Sequence, residues 1–205
     1  MQRLTAEERA RVEAAIEAAE RRTNAEIAVV VAETSDDYAG FPFVWAAGLA
    51  LLAGGALAIL RPLTWAPTLF LLEAGVFVLA AIVFSLRRWR AYTAPRWVRE
   101  ERARWMAQLQ FSARVENRTA DAVGLLLYVS VAERFVEVRV DGRIAAAVPH
   151  ATWDAIIADF TRSMGAGSTV TAVVAAVGRC AEVLATHFPP LPGQQSEITN
   201  RVVEF

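Results

Sequence analysis

Residues 41–60 read FPFVWAAGLALLAGGALAIL, and residues 65–86 read WAPTLFLLEAGVFVLAAIVFSL. The first run contains no charged residue and the second contains one, Glu73. At about 1.5 Å of rise per residue, each run is long enough to cross the roughly 30 Å hydrocarbon layer of a membrane as a helix. Residues 61–64 between them (RPLT) form a short polar turn with a proline. We therefore expect a transmembrane hairpin over residues 41–86, with both flanking segments on one side of the bilayer.

The distribution of arginine predicts the orientation of this hairpin. The segment after the second run is rich in arginine: Arg87, Arg88, Arg90, Arg96, Arg99, Arg102 and Arg104. The turn between the runs carries only Arg61. Because cytoplasmic loops carry an excess of basic residues, we expect both termini and the soluble part in the cytoplasm of a bacterium, at its inner membrane. Anionic lipid accounts for the basic cluster, so we expect the bilayer as a partner and no nucleic acid.

The overall composition supports a membrane protein and excludes several classes of enzyme. Hydrophobic residues make up 55% of the 205 residues, and the mean hydropathy is +0.32. All 21 basic residues are arginine, so the lysine chemistry of P-loop and pyridoxal enzymes is excluded. One cysteine and two histidines exclude an internal disulfide, a multi-cysteine zinc site and a three-histidine metal site.

Two features lie inside the predicted spans. Ala46, Ala50, Gly54 and Ala58 repeat every four residues, a spacing of small side chains that lets a second helix approach closely. The partner helix is the second span of the same hairpin or, alternatively, a helix of a second copy of the chain. Glu73 lies about two turns into its span. It is either a neutral or snorkelling carboxyl or part of an ion or proton path.

The remaining residues predict one soluble domain that the hairpin interrupts. Residues 1–40 contain a capped helix and a strand rich in β-branched residues, and residues 87–188 continue with helix, strand, strand, helix and helix. Residues 189–205 form a polar C-terminal tail. Because a strand–crossover–strand connection favours parallel pairing and a short turn favours an antiparallel hairpin, we predict a small α/β sandwich with a mixed sheet.

Acidic residues follow the ends of two of the predicted strands. Asp36 and Asp37 come after the first strand, and Glu133 lies in the turn after the second. If these strands are parallel neighbours, the three carboxylates meet at one edge of the sheet, where ligands of open α/β sheets bind. Ca²⁺ and Mg²⁺ prefer such oxygen ligands. The alternative is that all three are solvated turn residues. Asp141, at the opposite end of the sheet, is left out of this set.

Other chemically versatile residues carry weaker signals. His150 has no neighbouring serine, cysteine or second histidine and is expected to be structural. Cys180 lies among alanine and valine on a predicted helix, as expected of a buried, inert thiol. The stretch MGAGST at 164–169 resembles a phosphate loop but lies between two helices, so an interhelical turn with Ser168 as N-cap is favoured.

The order of several short motifs resembles the TPM domain family. The motifs are TNAEIAVV at 23–30, RT at 118–119, GLLLYVS at 124–130, ERFVEV at 133–138, DGRI at 141–144, Trp153 and FP at 188–189. The resemblance covers nearly all of the soluble chain, and the interruption by two spans resembles a bacterial membrane-anchored branch. The chain departs from better-known members where Glu133 replaces a frequent pair of aspartates, and where 141–143 (DGR) replaces a glycine-rich turn.

The resemblance implies a compact α/β sandwich and a limited set of functions. Members are associated with photosystem repair and with modulation of a receptor channel, and some have been ascribed acid phosphatase activity and divalent-metal binding. The family's acidic cleft corresponds here to Asp36, Asp37 and Glu133. We favour a non-enzymatic assembly or maintenance factor for a membrane protein complex. Its expected protein partner is a membrane protein or, in a homo-oligomer, a second copy of the chain. The alternative is a divalent-metal-dependent, acid-phosphatase-like hydrolase.

Overall fold

The two central strands of the protein lie side by side in a mixed four-stranded sheet. In the computed structural model, β1 (Ala25–Ala32) pairs in parallel with β2 (Val123–Ser130), in register from Ala25 opposite Val123 to Ala32 opposite Ser130. β3 (Phe135–Val140) runs antiparallel to β2, and β4 (Val203–Glu204) runs parallel to β1. The strand order is β3-β2-β1-β4. The predicted parallel pair and antiparallel hairpin are both confirmed.

The structure describes residues 4–61, 65–86, 90, 92–116, 123–166, 168–190 and 203–204. The chain folds as two compact units. The first, which we call the α/β unit, contains residues Met1–Ser35 and Arg102–Phe205. The second, the hairpin unit, is Asp36–Glu101.

One face of the sheet is covered by four helices of the α/β unit. They are α1 (Ala6–Glu20), α5 (Gly142–Ala147), α6 (His150–Ala166) and α7 (Thr169–His187). Their buried side chains include Ile16, Ile144, Phe160 and Leu184, which join the core formed with alternate residues of β1 and β2. The ends are capped as their sequences predict: Thr5 forms a capping box with Glu8, and Ser168 accepts a hydrogen bond from the Val170 amide.

The opposite face of the sheet is covered by one long helix. This helix, α4 (Arg96–Phe111), continues into a π-helical turn at Ser112–Glu116. Small and apolar side chains at every fourth position pack on the sheet: Ala103, Ala107, Phe111 and Val115. They contact the residues of β1 and β2 that point to this side, including Val30, Leu126 and Tyr128. The α/β unit is therefore three layers deep, with its central strands buried on both faces.

The hairpin unit contains two long apolar helices. They are α2 (Phe41–Leu60) and α3 (Ala66–Ser85), each with a proline in its first turn. They pack on each other through alanines, including Ala46, Ala80 and Ala81. The rest of their surface is apolar and exposed: Ile59 is 82% exposed and Phe70 is 67% exposed. Residues 62–64 of the predicted turn lie outside the described residues.

Three features of the fold differ from expectation. The short helix α5 was not predicted, and the polar tail at 189–205, for which no strand was predicted, contributes β4 to the sheet. In addition, three described helices, and not two, have the length and apolar composition of a membrane span: α2, α3 and α7. The third is the helix whose buried residues belong to the core of the α/β unit.

Candidate functional site

The carboxyl ends of β1 and β2 bring polar residues together because the two strands end side by side. The backbone pairing continues one step beyond the strands: the amides of Val131 and Ala132 donate to the carbonyls of Ala32 and Glu33, each at 3.0 Å. The turn into β3 is closed by Arg134, which has a left-handed φ of 53°. This turn places the preceding residue, Glu133, beside the segment that follows β1.

The Glu133 carboxylate accepts hydrogen bonds from both sides of this strand end. Its Oε1 atom accepts hydrogen bonds from the Thr34 hydroxyl at 2.9 Å and from the Ser35 amide at 3.0 Å. Its Oε2 atom accepts a hydrogen bond from the Ser130 hydroxyl. Only 9% of Glu133 is exposed. Burial of a carboxylate is costly, and three donors from its own chain offset that cost.

Two further hydroxyls extend this arrangement into a buried chain of hydrogen bonds. The Ser35 hydroxyl donates to Ser130 Oγ at 2.8 Å and lies 2.8 Å from the Tyr128 hydroxyl. Because Ser35 has a single hydroxyl proton, Tyr128 must be the donor in their contact. The protons therefore point in one direction, from Tyr128 through Ser35 and Ser130 to Glu133. We call these residues, together with Thr34, the strand-end network.

Burial also determines the protonation state of Tyr128, the first donor in this series of hydrogen bonds. Burial raises the pKa of the Tyr128 hydroxyl above its ordinary value; the hydrogen bond with Ser35 opposes this effect, and the nearby charge of Glu133 adds to it. Tyr128 is thus a neutral phenol at physiological pH and can act as the donor that the geometry requires. The network orders the end of the sheet, and three of its hydroxyl-bearing residues are buried: Ser35, Tyr128 and Ser130.

The other two predicted ligands, Asp36 and Asp37, lie in the hairpin unit. Asp36 Oδ1 accepts the amides of Asp37 at 2.6 Å and Tyr38 at 3.4 Å. Asp37 Oδ1 accepts the amide of Ala39 at 2.9 Å, and its Oδ2 atom lies 3.7 Å from an Arg90 guanidinium nitrogen. Both carboxylates thereby stabilise the turn that leads into α2.

The predicted metal ligands therefore divide between the units, with Glu133 in the α/β unit. Within the described parts of the chain, no three or more His, Cys, Asp or Glu side chains group together as metal ligands would. Binding of Ca²⁺ or Mg²⁺ stays a prediction. Tyr128 and Ser130 were not among the site residues predicted from the sequence. The signal was present, because they are polar and two positions apart in an otherwise apolar strand and so share one face.

The remaining residues that the sequence singled out lie elsewhere in the fold. Asp141 lies at the other end of the sheet, where it accepts the amides of Gly124 at 3.0 Å and Ile144 at 2.8 Å and so caps α5. Cys180 is buried in the core. His150 is exposed and lies 3.0 Å from Asp154 one turn along α6. In the 164–169 stretch, residue 167 lies outside the described residues.

Inside the hairpin unit, the small-residue stripe and Glu73 meet. Ala46, Ala50 and Gly54 are buried on α2, whereas Ala58 is exposed. The Glu73 side chain from α3 covers Gly54 so closely that a methyl group at Gly54 would overlap the Glu73 carboxylate and lie 2.6 Å from its Cγ. The carboxyl is therefore directed toward α2.

Comparison with known proteins supports the fold only. No family profile matches the chain, and no curated protein sequence matches it. Among solved structures, the chain is similar to the NMR structure of the BA42 protein from the psychrophilic bacterium Bizionia argentinensis. The sequences are 17% identical, the TM-score is 0.57, and the likeness covers 100% of this chain and 97% of the other.

Proposed function

We propose that the protein is a membrane-anchored, TPM-like interaction module that takes part in the assembly or maintenance of a membrane protein complex. The observation that carries the proposal is the apolar, exposed surface of α2 and α3, on which Leu52, Ile59 and Phe70 are 72%, 82% and 67% exposed. Exposing two such helices to water would be very unfavourable, whereas lipid covers them without cost. These two helices are the membrane anchor.

The arginine distribution supports a specific orientation for this anchor. Arg61 alone follows α2, while Arg90, Arg96 and Arg99 are among those that follow α3. By the positive-inside tendency, both flanking segments and the α/β unit lie in the cytoplasm of a bacterium, and the 61–64 turn lies outside its inner membrane.

A non-enzymatic role is supported by the strand-end network. Its hydroxyls donate to groups of the same chain, Ser130 is fully buried, and Glu133 is engaged with three donors. A nucleophile has to reach a substrate, and the hydroxyl groups gathered here are directed inward instead. The α/β unit is accordingly proposed to act through its surface, on a membrane protein or a second copy of the chain.

A pair of C-terminal fusions tests the anchor and its orientation. A fluorescent protein that matures in the cytoplasm and an alkaline phosphatase that is active only outside it are each fused after Phe205. We expect fluorescence, an inactive phosphatase, and a chain that stays in the membrane pellet after alkaline carbonate extraction. An active phosphatase would reverse the orientation, and release by carbonate would refute the anchor.

Extraction of native membrane discs tests the interaction role. The full chain, carrying an affinity tag, is purified in polymer-bounded discs from native membranes after brief chemical crosslinking. We expect one membrane protein, or a second copy, to co-purify in a fixed ratio and to survive high salt. A chain that is recovered alone at every crosslinker concentration contradicts the interaction module.

A divalent-metal-dependent phosphatase is the second candidate, with Asp36, Asp37 and Glu133 as ligands and a metal-bound water as nucleophile. It is favoured by one observation: a carboxylate and four hydroxyls gather at the carboxyl end of a parallel strand pair, where α/β proteins bind ligands. The test is calorimetric titration of Ca²⁺ and Mg²⁺ into the full chain in lipid nanodiscs. Saturable binding that is lost in Glu133→Gln and in Asp36→Ala, with metal-dependent phosphomonoester hydrolysis, would establish this activity over the non-enzymatic role. No binding to the folded wild type would remove it.

A further inference from the structure

β3 lies at the edge of the sheet. The strand order is β3-β2-β1-β4, so one side of β3 pairs with β2, and no described strand pairs with its outer side. The ladder with β2 is continuous from Phe135 to Val140 without a bulge, and β3 contains no proline. All six residues of β3 are partly exposed. A regular edge of this kind is a template for pairing with a further strand.

The hydrogen bond at the end of the ladder shows which residues of β3 direct their backbone groups outward. The Asp141 amide donates to the Gly124 carbonyl at 3.0 Å, so the backbone polar groups of residue 141 face β2. In an antiparallel pair this orientation alternates from one residue to the next. The odd-numbered residues of β3 therefore face β2, and the outward backbone groups belong to three valines: Val136, Val138 and Val140.

The side chains of β3 carry opposite charges on either side of Val138. Glu137 and Arg139 share the face of β3 that points toward α4, where the Arg139 guanidinium donates to Gln108. The two side chains form an ion pair at 3.0 Å, and both remain partly exposed. Two of their buried atoms, Glu137 Oε2 and Arg139 Nε, have no hydrogen-bond partner among the described residues. The ion pair within the chain therefore leaves both side chains incompletely paired.

This order of charges is complementary to itself when two copies of β3 pair antiparallel. With Val138 opposite Val138 of the second copy, Glu137 lies opposite Arg139 of the second copy. The valine pairs then exchange the backbone hydrogen bonds, and the charged pairs occupy the intervening sites, where cross-strand side chains approach most closely. A shift of two residues brings Glu137 opposite Glu137, or Arg139 opposite Arg139, which is unfavourable. The charges thus select one register.

We propose that two copies of the chain associate by antiparallel pairing of their β3 strands, centred on Val138, with Glu137 of each copy opposite Arg139 of the other. The two sheets then continue across a twofold axis, as in isologous dimers. This inference rests on the proposed interaction role of the α/β unit. Of the two kinds of partner proposed there, it selects the second copy of the chain, and it assigns the surface that this copy contacts.

Disulfide crosslinking of the full chain in native membranes tests the pairing and its register. Single cysteines are introduced as Val138→Cys or Val136→Cys, and a mild oxidant is added. In the proposed register the Cα atoms of the two residues 138 are about 5.5 Å apart, within reach of a disulfide, whereas the two residues 136 are offset by about 13 Å along the strands. We expect at least about fivefold more crosslinked dimer from Val138→Cys. The wild type, whose Cys180 is buried, should give none.

Exchange of charges separates the pairing from any effect on folding. In the Val138→Cys background, Glu137→Arg and Arg139→Glu each place like charges opposite one another, so we expect each to lower the crosslinked fraction at least about fivefold. Co-expression of the two variants, or both substitutions in one chain, places opposite charges opposite one another again. Crosslinking should then return to within about twofold of the starting level. No recovery in either arrangement overturns the proposal.

Co-purification in native discs distinguishes failure of the β3 pairing from failure of the interaction role. If Val138→Cys crosslinks no more than Val136→Cys while another membrane protein co-purifies with the chain, the β3 pairing is overturned and the interaction role stands. If crosslinking fails and the chain is recovered alone from the discs, both are contradicted.

Discussion

Helices α3 and α7 are alike in length and apolar composition but differ in where their apolar side chains point. In the most apolar stretch of α7, 44% of the residues are buried within the protein, compared with only 6% in the most apolar stretch of α3. α7 buries one face against the sheet and carries Arg179 and Glu182 on the other, whereas α3 is apolar all round apart from Glu73. By length and hydropathy alone, both helices therefore qualify as candidate membrane spans. The distribution of polar residues around the helix distinguishes a core helix from a candidate span.

The largest expected effect is a loss of stability when the buried face of α7 is disrupted. Leu184 is fully buried, so the Leu184→Arg variant places an unpaired charge in the core of the α/β unit. We expect a loss of at least about 3 kcal/mol in the free energy of unfolding. Near-ultraviolet circular dichroism and urea denaturation of the full chain in nanodiscs would measure it.

The matched change on α3 should have the opposite consequences. Leu79→Arg lies on an exposed position of α3, where it should leave the α/β unit folded but disfavour membrane insertion by about 3 kcal/mol. Carbonate extraction would report the lower membrane fraction. If Leu184→Arg impaired insertion and Leu79→Arg unfolded the α/β unit, our distinction between the two helices would be wrong.

The next effect concerns the strand-end network. Glu133→Ala leaves the Thr34 hydroxyl, the Ser35 amide and the Ser130 hydroxyl without their acceptor, and we expect it to cost about 2 to 3 kcal/mol of unfolding free energy. Glu133→Gln retains one acceptor oxygen and should lose less. Thermal denaturation would compare both with Glu182→Ala, an exposed control. A cost for Glu133→Ala no larger than for this control would mean that the network contributes nothing to stability.

A smaller effect is expected inside the hairpin unit. Gly54→Ala forces the Glu73 side chain to rotate away from α2, at a cost of about 1 kcal/mol. Gly55→Ala is the matched control, because a methyl group there meets nothing within 4 Å and the gain in helix propensity is the same. Unfolding in mixed detergent micelles would measure the difference. The double variant Gly54→Ala, Glu73→Ala should recover the control value, and a persistent deficit would contradict the overlap.

The smallest effect is a pH dependence at β3. Burial raises the pKa of the Glu137 carboxyl above its ordinary value, against the opposing charges of Arg139 and Arg104. The folded protein therefore holds this proton more tightly than the unfolded chain. The resulting stabilisation is complete below the unfolded pKa and is lost as pH rises through the folded pKa. Glu137→Gln should flatten the stability profile on the acid side, whereas Glu182→Gln should not; identical profiles for both would contradict the shift.

Much of the α/β fold follows from local sequence patterns. The uninterrupted apolar stretch around Val29 and Val30 predicts a strand buried on both faces, and the alternation of Val136, Glu137 and Val138 predicts one with unlike faces. β3 is partly exposed along its whole length, so its alternation gives no contrast in burial. The prediction for β1 is confirmed, because every one of its residues is buried. The same holds for the capped start of α1 at Thr5.

The features that could not be predicted depend on residues that are far apart in the sequence. β4 consists of two residues in a polar tail, and only its pairing with Val30 and Val31 of β1 makes it a strand. The strand-end network requires Ser35 and Tyr128, which are 93 positions apart, to meet at one point. The sequence indicated the correct end of the sheet for Glu133, and the two-residue spacing of Tyr128 and Ser130 places both on one face of β2. It did not indicate that Ser35, after β1, would meet them.

The parallel pairing of β1 with β2 imposes a parity rule on the chain. Two strands can share a ladder only if they lie in the same compartment, so the segment that joins Ala32 to Val123 must cross the bilayer an even number of times. The pairing of β4 with β1 imposes the same rule on everything between β2 and residue 203. With α2 and α3 as the proposed pair of crossings, α7 would be an odd third crossing that separates β4 from its partner strand. Because β2 follows α2 and α3 in the chain, the parallel pair can form only after both of these helices have been synthesised.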